Sequence, residues 1–309
     1  MRGSTILTGA ALLAAMIASP AAAEGPFGLD LEGSFGEVGF TDYRPPITNP
    51  VFNETPFITT EVKPFYAYHD IPNDFPAGAG DGGNVNVVGI QARLAITDRL
   101  GFIATTDGYS WIDFKNSLPD ADGWNDIAIG LKYAVVSDPA NGLIVTPGLR
   151  YTIPVGNLDT AGLELNGIDG GYLNPFVSAA KLWDRTQLQG MIGAQIALGD
   201  TGTSTFLASL HGDYELFDNF FPALEMNLFV PIDGGDQIPS SAAPLDKLTG
   251  ADIIDLGSAN PNTILTIGGG FRYAVTENVM FGVGADVNVL QDKYDAYGWR
   301  FLTDLVIHF

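Results

Sequence analysis

The chain has 309 residues, with 14 Lys and Arg against 36 Asp and Glu for a formal charge of −22, 38 glycines and no cysteine. Such acidity excludes a nucleic-acid partner, whose phosphates bind through neutralising cations. Without disulfides, a chain of this length must be held by a large core or by a closed hydrogen-bonded sheet. The glycine content suits strands, turns and bulges better than helices.

The start reads as an export signal. Arg2 supplies a positive charge, residues 6–17 are apolar and small, Pro20 breaks the run, and Ala21-Ala22-Ala23 offers a small-residue cleavage site. Residues 1–23 are therefore expected to be removed, leaving a mature chain that begins near Glu24. No later stretch approaches the roughly 18 uninterrupted apolar residues of a membrane helix. Residues 24–56 contain Arg44-Pro45-Pro46 and Asn49-Pro50, which forbid a regular ladder. This irregular segment has two places to go: the periplasm, or the inside of a barrel as a plug.

From residue 57 onward, period-two alternation marks about twelve segments between turn residues: 57–69, 85–96, 101–114, 124–135, 143–154, 172–183, 187–198, 205–216, 221–232, 263–275, 279–289 and 298–309. In the first, Val62, Tyr66 and Tyr68 oppose Glu61 and Lys63. In the fourth, Ile127, Ile129, Leu131 and Tyr133 oppose Asp126 and Lys132. In the eighth, Phe206, Leu210 and Tyr214 oppose Ser209, His211 and Asp213. The last sets Trp299, Phe301, Leu305, Ile307 and Phe309 against Arg300, Asp304 and His308. Parity is ambiguous only in 101–114 and 172–183. Connections after even-numbered segments are short. Those after odd-numbered segments are long, apart from 199–204, so long and short ends fall on opposite sides of one sheet.

An apolar face bracketed by aromatics, a charged opposite face and loops sorted by length together predict an all-β, antiparallel, up-and-down transmembrane β-barrel of about twelve strands over 57–309. Its last strand should pair with its first, because hydrocarbon leaves no water for a free sheet edge. Aromatics near strand ends, such as Tyr66, Trp124, Tyr133, Trp183 and Trp299, would stand at the two membrane interfaces. The lumen-lining set is then Glu61, Lys63, Arg93, Asp126, Lys132, Arg150, His211, Asp213, Glu215, Glu225, Arg272, Asp286, Arg300 and Asp304. Its mixed signs suit either ion-paired ladders or a hydrated pore. Most of the excess acid lies in the long connections, where solvation and divalent-cation binding are both open.

No catalytic, cofactor or metal set emerges. Residues 78–83 fit a glycine-rich nucleotide spacing with no helix after it, and 120–126 has calcium-like acidity without the terminal Glu of a full loop. The competing reading is a barrel hydrolase, with His211 beside Asp213 activating water or Ser209. A third is a non-conducting scaffold or adhesin that displays loops.

The runs Gly123-Trp124-Asn125-Asp126-Ile127-Ala128-Ile129-Gly130-Leu131-Lys132-Tyr133 and Pro147-Gly148-Leu149-Arg150-Tyr151-Thr152-Ile153-Pro154-Val155-Gly156 resemble the outer-membrane family linked with meta-cleavage phenol-degradation operons. The resemblance implies a Gram-negative outer-membrane channel or transporter for small, often aromatic, solutes, without a chemical step or cofactor. It also implies contact with outer-membrane lipid, and a terminal aromatic, Phe309, read by the barrel-assembly machinery.

Overall fold

The computed structural model describes residues 43–309 apart from 106, 107 and 117. The 1–23 export signal and the first part of the 24–56 segment lie outside the described residues. In chain order the strands are β1 (Glu61–Ile71), β2 (Gly83–Ala95), β3 (Leu100–Ala104), β4 (Gly108–Phe114), β5 (Ala121–Trp124), β6 (Ile127–Tyr133), β7 (Val136–Asp138) and β8 (Leu143–Ile153). A small pair follows, β9 (Asp159–Thr160) and β10 (Leu163–Glu164). Then come β11 (Tyr172–Trp183), β12 (Thr186–Ala197), β13 (Ser204–Tyr214), β14 (Phe220–Asp233), β15 (Ile264–Thr276), β16 (Val279–Asn288) and β17 (Trp299–His308). With β3–β4 and β5–β7 each counted as one stave, they make a closed antiparallel barrel of 12 staves.

Closure is made by β1, which pairs with β2 along its whole length and with β17 on its other edge, from Glu61 opposite His308 to His69 opposite Arg300. The wall thus closes on itself through β1, which removes the long free edge that hydrocarbon could not satisfy. Alternation is clean along β1, β2, β17, most of β11, and β13 from Leu207 onward. One face turns Leu131, Ile192, Leu210 and Ile267 outward, while the other buries Arg150, Arg272 and Arg300. An apolar exterior around a charged interior inverts the soluble pattern and matches a bilayer as solvent.

The two ambiguous stretches have physical reasons. In β3 the odd-numbered residues Gly101 and Ile103 face inward, whereas in β4 the even-numbered Gly108, Ser110 and Ile112 do. The frame of β4 thus differs in parity from that of β3, so no single period-two frame fits both strands of the third stave. A second change separates β5, with Ala121 and Gly123 inward, from β6, with Ala128 and Lys132 inward. The expected loop 115–123 is therefore too long, because 121–124 already pair with β4. In β11 the inward face carries Tyr172 and Phe176 while the outward face carries Pro175 and Lys181, so hydrophobicity does not separate them. The first ladder begins at Glu61 rather than at residue 57, and Phe57 and Ile58 are buried inside.

One inward glycine is needed by its neighbour. A Cβ on Gly148 would lie 2.2 Å from Cζ of Phe176, which stands directly opposite on β11. The ring occupies the space that a side chain on β8 would take, a cross-strand arrangement that pins register.

At the long-loop end, the connection between β14 and β15 folds back over the barrel mouth. Its Leu248, Ile254 and Leu256 pack with Ile71, Val85, Ile112 and Leu158. It is tied to the β16–β17 connection through Thr249 N–H to the Tyr294 carbonyl at 3.0 Å and Ala296 N–H to the Thr249 carbonyl at 2.8 Å. In that second connection, burial pushes the Tyr297 phenol well above its ordinary pKa, so it keeps the proton it donates to Asp286.

Candidate functional site

The interior is not empty. Residues 43–60 enter at the short-turn end, rise to an apex at Pro50–Phe52 and return to start β1. Prolines 45, 46, 50 and 56 prevent this hairpin from pairing as a strand, so its buried carbonyls need partners from elsewhere. The barrel wall supplies them. Gln187 donates to the Arg44 carbonyl at 2.6 Å, Arg272 to Pro46 at 2.8 Å, Gln91 to Pro50 at 2.7 Å, Arg150 to Val51 at 2.7 Å, Lys132 to Thr55 at 2.8 Å and Thr146 to Pro56 at 2.6 Å. Arg300 and Ser178 each donate at 2.5 Å, to the carbonyls of Thr48 and Glu54.

Charge follows the same division. Glu54 of the hairpin receives Arg93 on both carboxylate oxygens at 2.8 Å, and Lys132 at 2.7 Å. Arg93 also reaches Glu61 at 2.9 Å. On the opposite side, Arg44 of the hairpin meets Asp213 at 2.9 Å. The amides of Ile47 and Thr48 donate to the two oxygens of Glu225 at 2.7 and 2.6 Å. Asp304 pairs with Arg272 through both oxygens, at 2.7 and 2.9 Å. These groups are all nearly inaccessible to solvent, where a hydrogen-bonded ion pair resists separation strongly.

Of the lumen-lining set, Glu61, Lys63, Arg93, Lys132, Arg150, His211, Asp213, Glu225, Arg272, Asp286, Arg300 and Asp304 are buried on the inner face of the wall. Lys63 lies in the field of Arg93, Asp304 and Glu61. Asp126 is buried nearer the long loops, where it accepts the Gly156 amide at 2.8 Å. Glu215 stands apart, at the short-turn rim just past β13, half-exposed and 3.8 Å from Arg185. The interior is a paired, hydrogen-bonded network in which much of the wall's charge is matched by the hairpin. Several partners were outside the lumen-lining set: Arg44, Glu54, Asp252, Gln91, Gln187 and Ser178.

His211 has a definite environment. Its Nδ1 meets Glu225 at 2.7 Å and its Nε2 meets Asp213 at 2.9 Å. Both ring nitrogens face carboxylates, so neither is available to take a proton from Ser209 or from water. The geometry makes His211 a clamp between two acids that themselves hold the hairpin.

Above the hairpin apex lies a cavity of about 100 Å³. Its floor is Val51 and Phe52, its roof is the inward-folded connection with Leu248 and Ile254, and Leu165 and Ile168 close one side. Floor and roof share one cation. Arg300 donates to both oxygens of Asp252 in the roof, at 2.9 and 2.8 Å, while its other nitrogen holds Thr48 of the hairpin.

No family model and no curated protein sequence matches the chain. Among solved structures, an outer membrane channel from Pseudomonas putida F1 aligns with 14% identity and a TM-score of 0.54, covering 87% of this chain and 99% of that one. The porin NanC aligns with 9% identity and a TM-score of 0.47, over 81% of this chain and 100% of its own. The monoaromatic hydrocarbon channel TodX aligns with 10% identity and a TM-score of 0.44, over 91% and 100%. The first of these likenesses is one of fold: this chain folds as an outer-membrane channel barrel does.

Proposed function

We propose that this chain is an outer-membrane channel that passes small solutes through its lumen, with residues 43–60 as an internal plug. The observation that carries the reading is the closed 12-stave wall, apolar outside and charged inside, around a hairpin held by side chains rather than by sheet pairing. A sheet-paired segment would be permanent, whereas side-chain contacts of this kind can be exchanged for water one at a time. The short-turn end faces the periplasm and the long loops face outward, as in bacterial outer-membrane barrels generally.

The cavity above Phe52 is walled mainly by apolar side chains and suits small, largely hydrophobic solutes. This agrees with the resemblance of residues 123–156 to a family of channels for small, often aromatic, compounds. The passage is passive and needs no chemical step. Phe309, exposed after β17, is an aromatic that the barrel-assembly machinery would read. Reconstitution into planar bilayers tests the reading. Stepwise conductance supports it. Silence of the full chain, and of a chain lacking the plug, favours a scaffold.

A further inference from the structure

The docked hairpin shows what the inner wall can hold. Its Phe52 ring packs in a buried cluster with Ile103, Phe176, Met191 and Leu207 of the wall. Two residues on, the Glu54 carboxylate takes Arg93 and Lys132. Arg150 joins the two halves. Its guanidinium lies 5.8 Å from the Phe52 ring and 5.4 Å from the Phe176 ring, and Glu54 lies in its field. The wall therefore holds an aromatic ring and a carboxylate close together, and both belong to a segment that is not part of the sheet.

The pairing of the strands assembles this site. Glu61 stands opposite Arg93, Arg93 opposite Ile103, Ile103 opposite Gly130, and Gly130 opposite Arg150, in one row across β1, β2, β3, β6 and β8. Lys132 lies one inward position further along β6, and Lys63 one further along β1. A Cβ on Gly130 would lie 2.8 Å from Cγ of Arg150, so the glycine lets the arginine lie over β6 and reach the Thr105 hydroxyl at 2.7 Å. The cations Lys63, Arg93, Lys132 and Arg150 here face the acids Glu61 and Glu54, and Glu54 leaves with the hairpin. Among the described residues, neither Arg150 nor Lys63 has a carboxylate at ion-pair distance, and Arg150 donates only to neutral oxygens. Neighbouring acids are engaged elsewhere: Asp304 by Arg272 through both oxygens, and Asp126 by the Gly156 amide nearer the long loops. Asp213 and Glu225 face from the opposite side with His211 between them, and so direct an anion toward the cations.

We infer that this row is the channel's solute subsite, and that it takes small carboxylates with an apolar body, aryl carboxylates foremost, in the place that Phe52 and Glu54 occupy when the hairpin is docked. The carboxylate takes over Arg93 and Lys132, whose planar fork and ammonium together fit a two-oxygen anion. The ring takes over the face of Arg150 and the space beside Phe176 and Ile103. Solute and hairpin exchange over the same bonds, so the buried cations keep a counter-charge throughout. The apolar cavity above Phe52 is the approach to the subsite. The inference rests on the channel reading and narrows its solute to an anion.

The test is calorimetric titration of the detergent-purified full chain with benzoate, its neutral isostere benzamide, and acetate. In the wild type Glu54 competes for the subsite; in Glu54→Gln it does not. Benzoate should bind Glu54→Gln about tenfold or more tightly than it binds the wild type, since apparent affinity scales with the fraction of subsites that the hairpin leaves free. Benzamide, without the charge, and acetate, without the ring, should each bind Glu54→Gln about tenfold or more weakly than benzoate. Adding Lys132→Gln to Glu54→Gln removes both members of a buried pair, which leaves no orphaned charge to unfold the barrel, and should weaken benzoate by about tenfold or more. Benzoate bound no better by Glu54→Gln than by the wild type, benzamide or acetate bound as tightly as benzoate, or no loss on adding Lys132→Gln overturns the inference. Conductance of the same preparations in potassium chloride reports the channel reading separately. A barrel that binds benzoate yet stays silent keeps the carboxylate site and loses the channel, and a conducting barrel indifferent to benzoate does the reverse.

Discussion

The plug is held most heavily at Glu54, and Glu54→Gln is the sharpest test of whether that holding controls the lumen. The wild-type carboxylate takes two bonds from Arg93 at 2.8 Å and one from Lys132 at 2.7 Å, all within a region closed to solvent. The amide that replaces it is isosteric but uncharged. Arg93 keeps Glu61, at 2.9 Å, as a counter-charge, whereas Lys132 keeps the neutral Thr55 carbonyl. Breaking a buried pair by removing one partner costs about 3–5 kcal/mol, because the other charge stays buried. Here the strain is relieved when the hairpin leaves and water enters. That energy therefore shifts the docked-to-undocked ratio of the plug by about two to four powers of ten. Single-channel recording in planar bilayers should show the variant open for a much larger fraction of time at the same voltage. Glu215→Gln removes a rim carboxylate from a half-exposed pair at 3.8 Å and should leave the traces unchanged. An open fraction for Glu54→Gln equal to that of the wild type would refute the reasoning.

Other outcomes follow from the wall. Leu210→Arg places a charge on the lipid face and should cost about 2–4 kcal/mol in urea titration from liposomes. His211→Ala leaves Glu225 and Asp213 without the ring between them and should lower stability in the same titration, with no hydrolytic activity lost, since both ring nitrogens are already bonded to acids. Gly148→Ala forces Phe176 from its place and should cost about 1–3 kcal/mol by thermal melting in detergent. Removal of Phe309 should reduce the yield of barrel inserted in cells while leaving the conductance of inserted molecules unchanged.

How far the sequence discloses this structure depends on the residue. Alternation in 205–216 or 298–309 is enough to place His211, Asp213, Arg300 and Asp304 inside, because burial on a strand has a fixed period. The same rule fails in 101–114, where parity changes within one stave, and in β11, where Tyr172 faces the lumen and Lys181 faces lipid. Pairing across the lumen leaves no local signature: nothing within 24–56 says that Arg44 meets Asp213 or that Glu54 meets Arg93. One trace was nevertheless present. Along the chain the inward charges are unevenly spread: Lys63, Arg93, Lys132 and Arg150 face Glu61 and Asp126 in the first half, while Arg272 and Arg300 face Asp213, Glu225, Asp286 and Asp304 in the second. A barrel sorted in this way needs counter-charge from within, and the hairpin brings Glu54 to the basic side and Arg44 to the acidic side.

The account stands on the claim that solutes pass where the hairpin sits. The chain has no cysteine, so Thr48→Cys with Asn227→Cys, whose native side chains touch at 3.1 Å, gives a unique pair for a short, thiol-cleavable cross-linker between plug and wall. Single-channel recording should show conductance that falls silent on cross-linking and returns on reduction. Conductance that persists unchanged while the hairpin is tethered would contradict the claim.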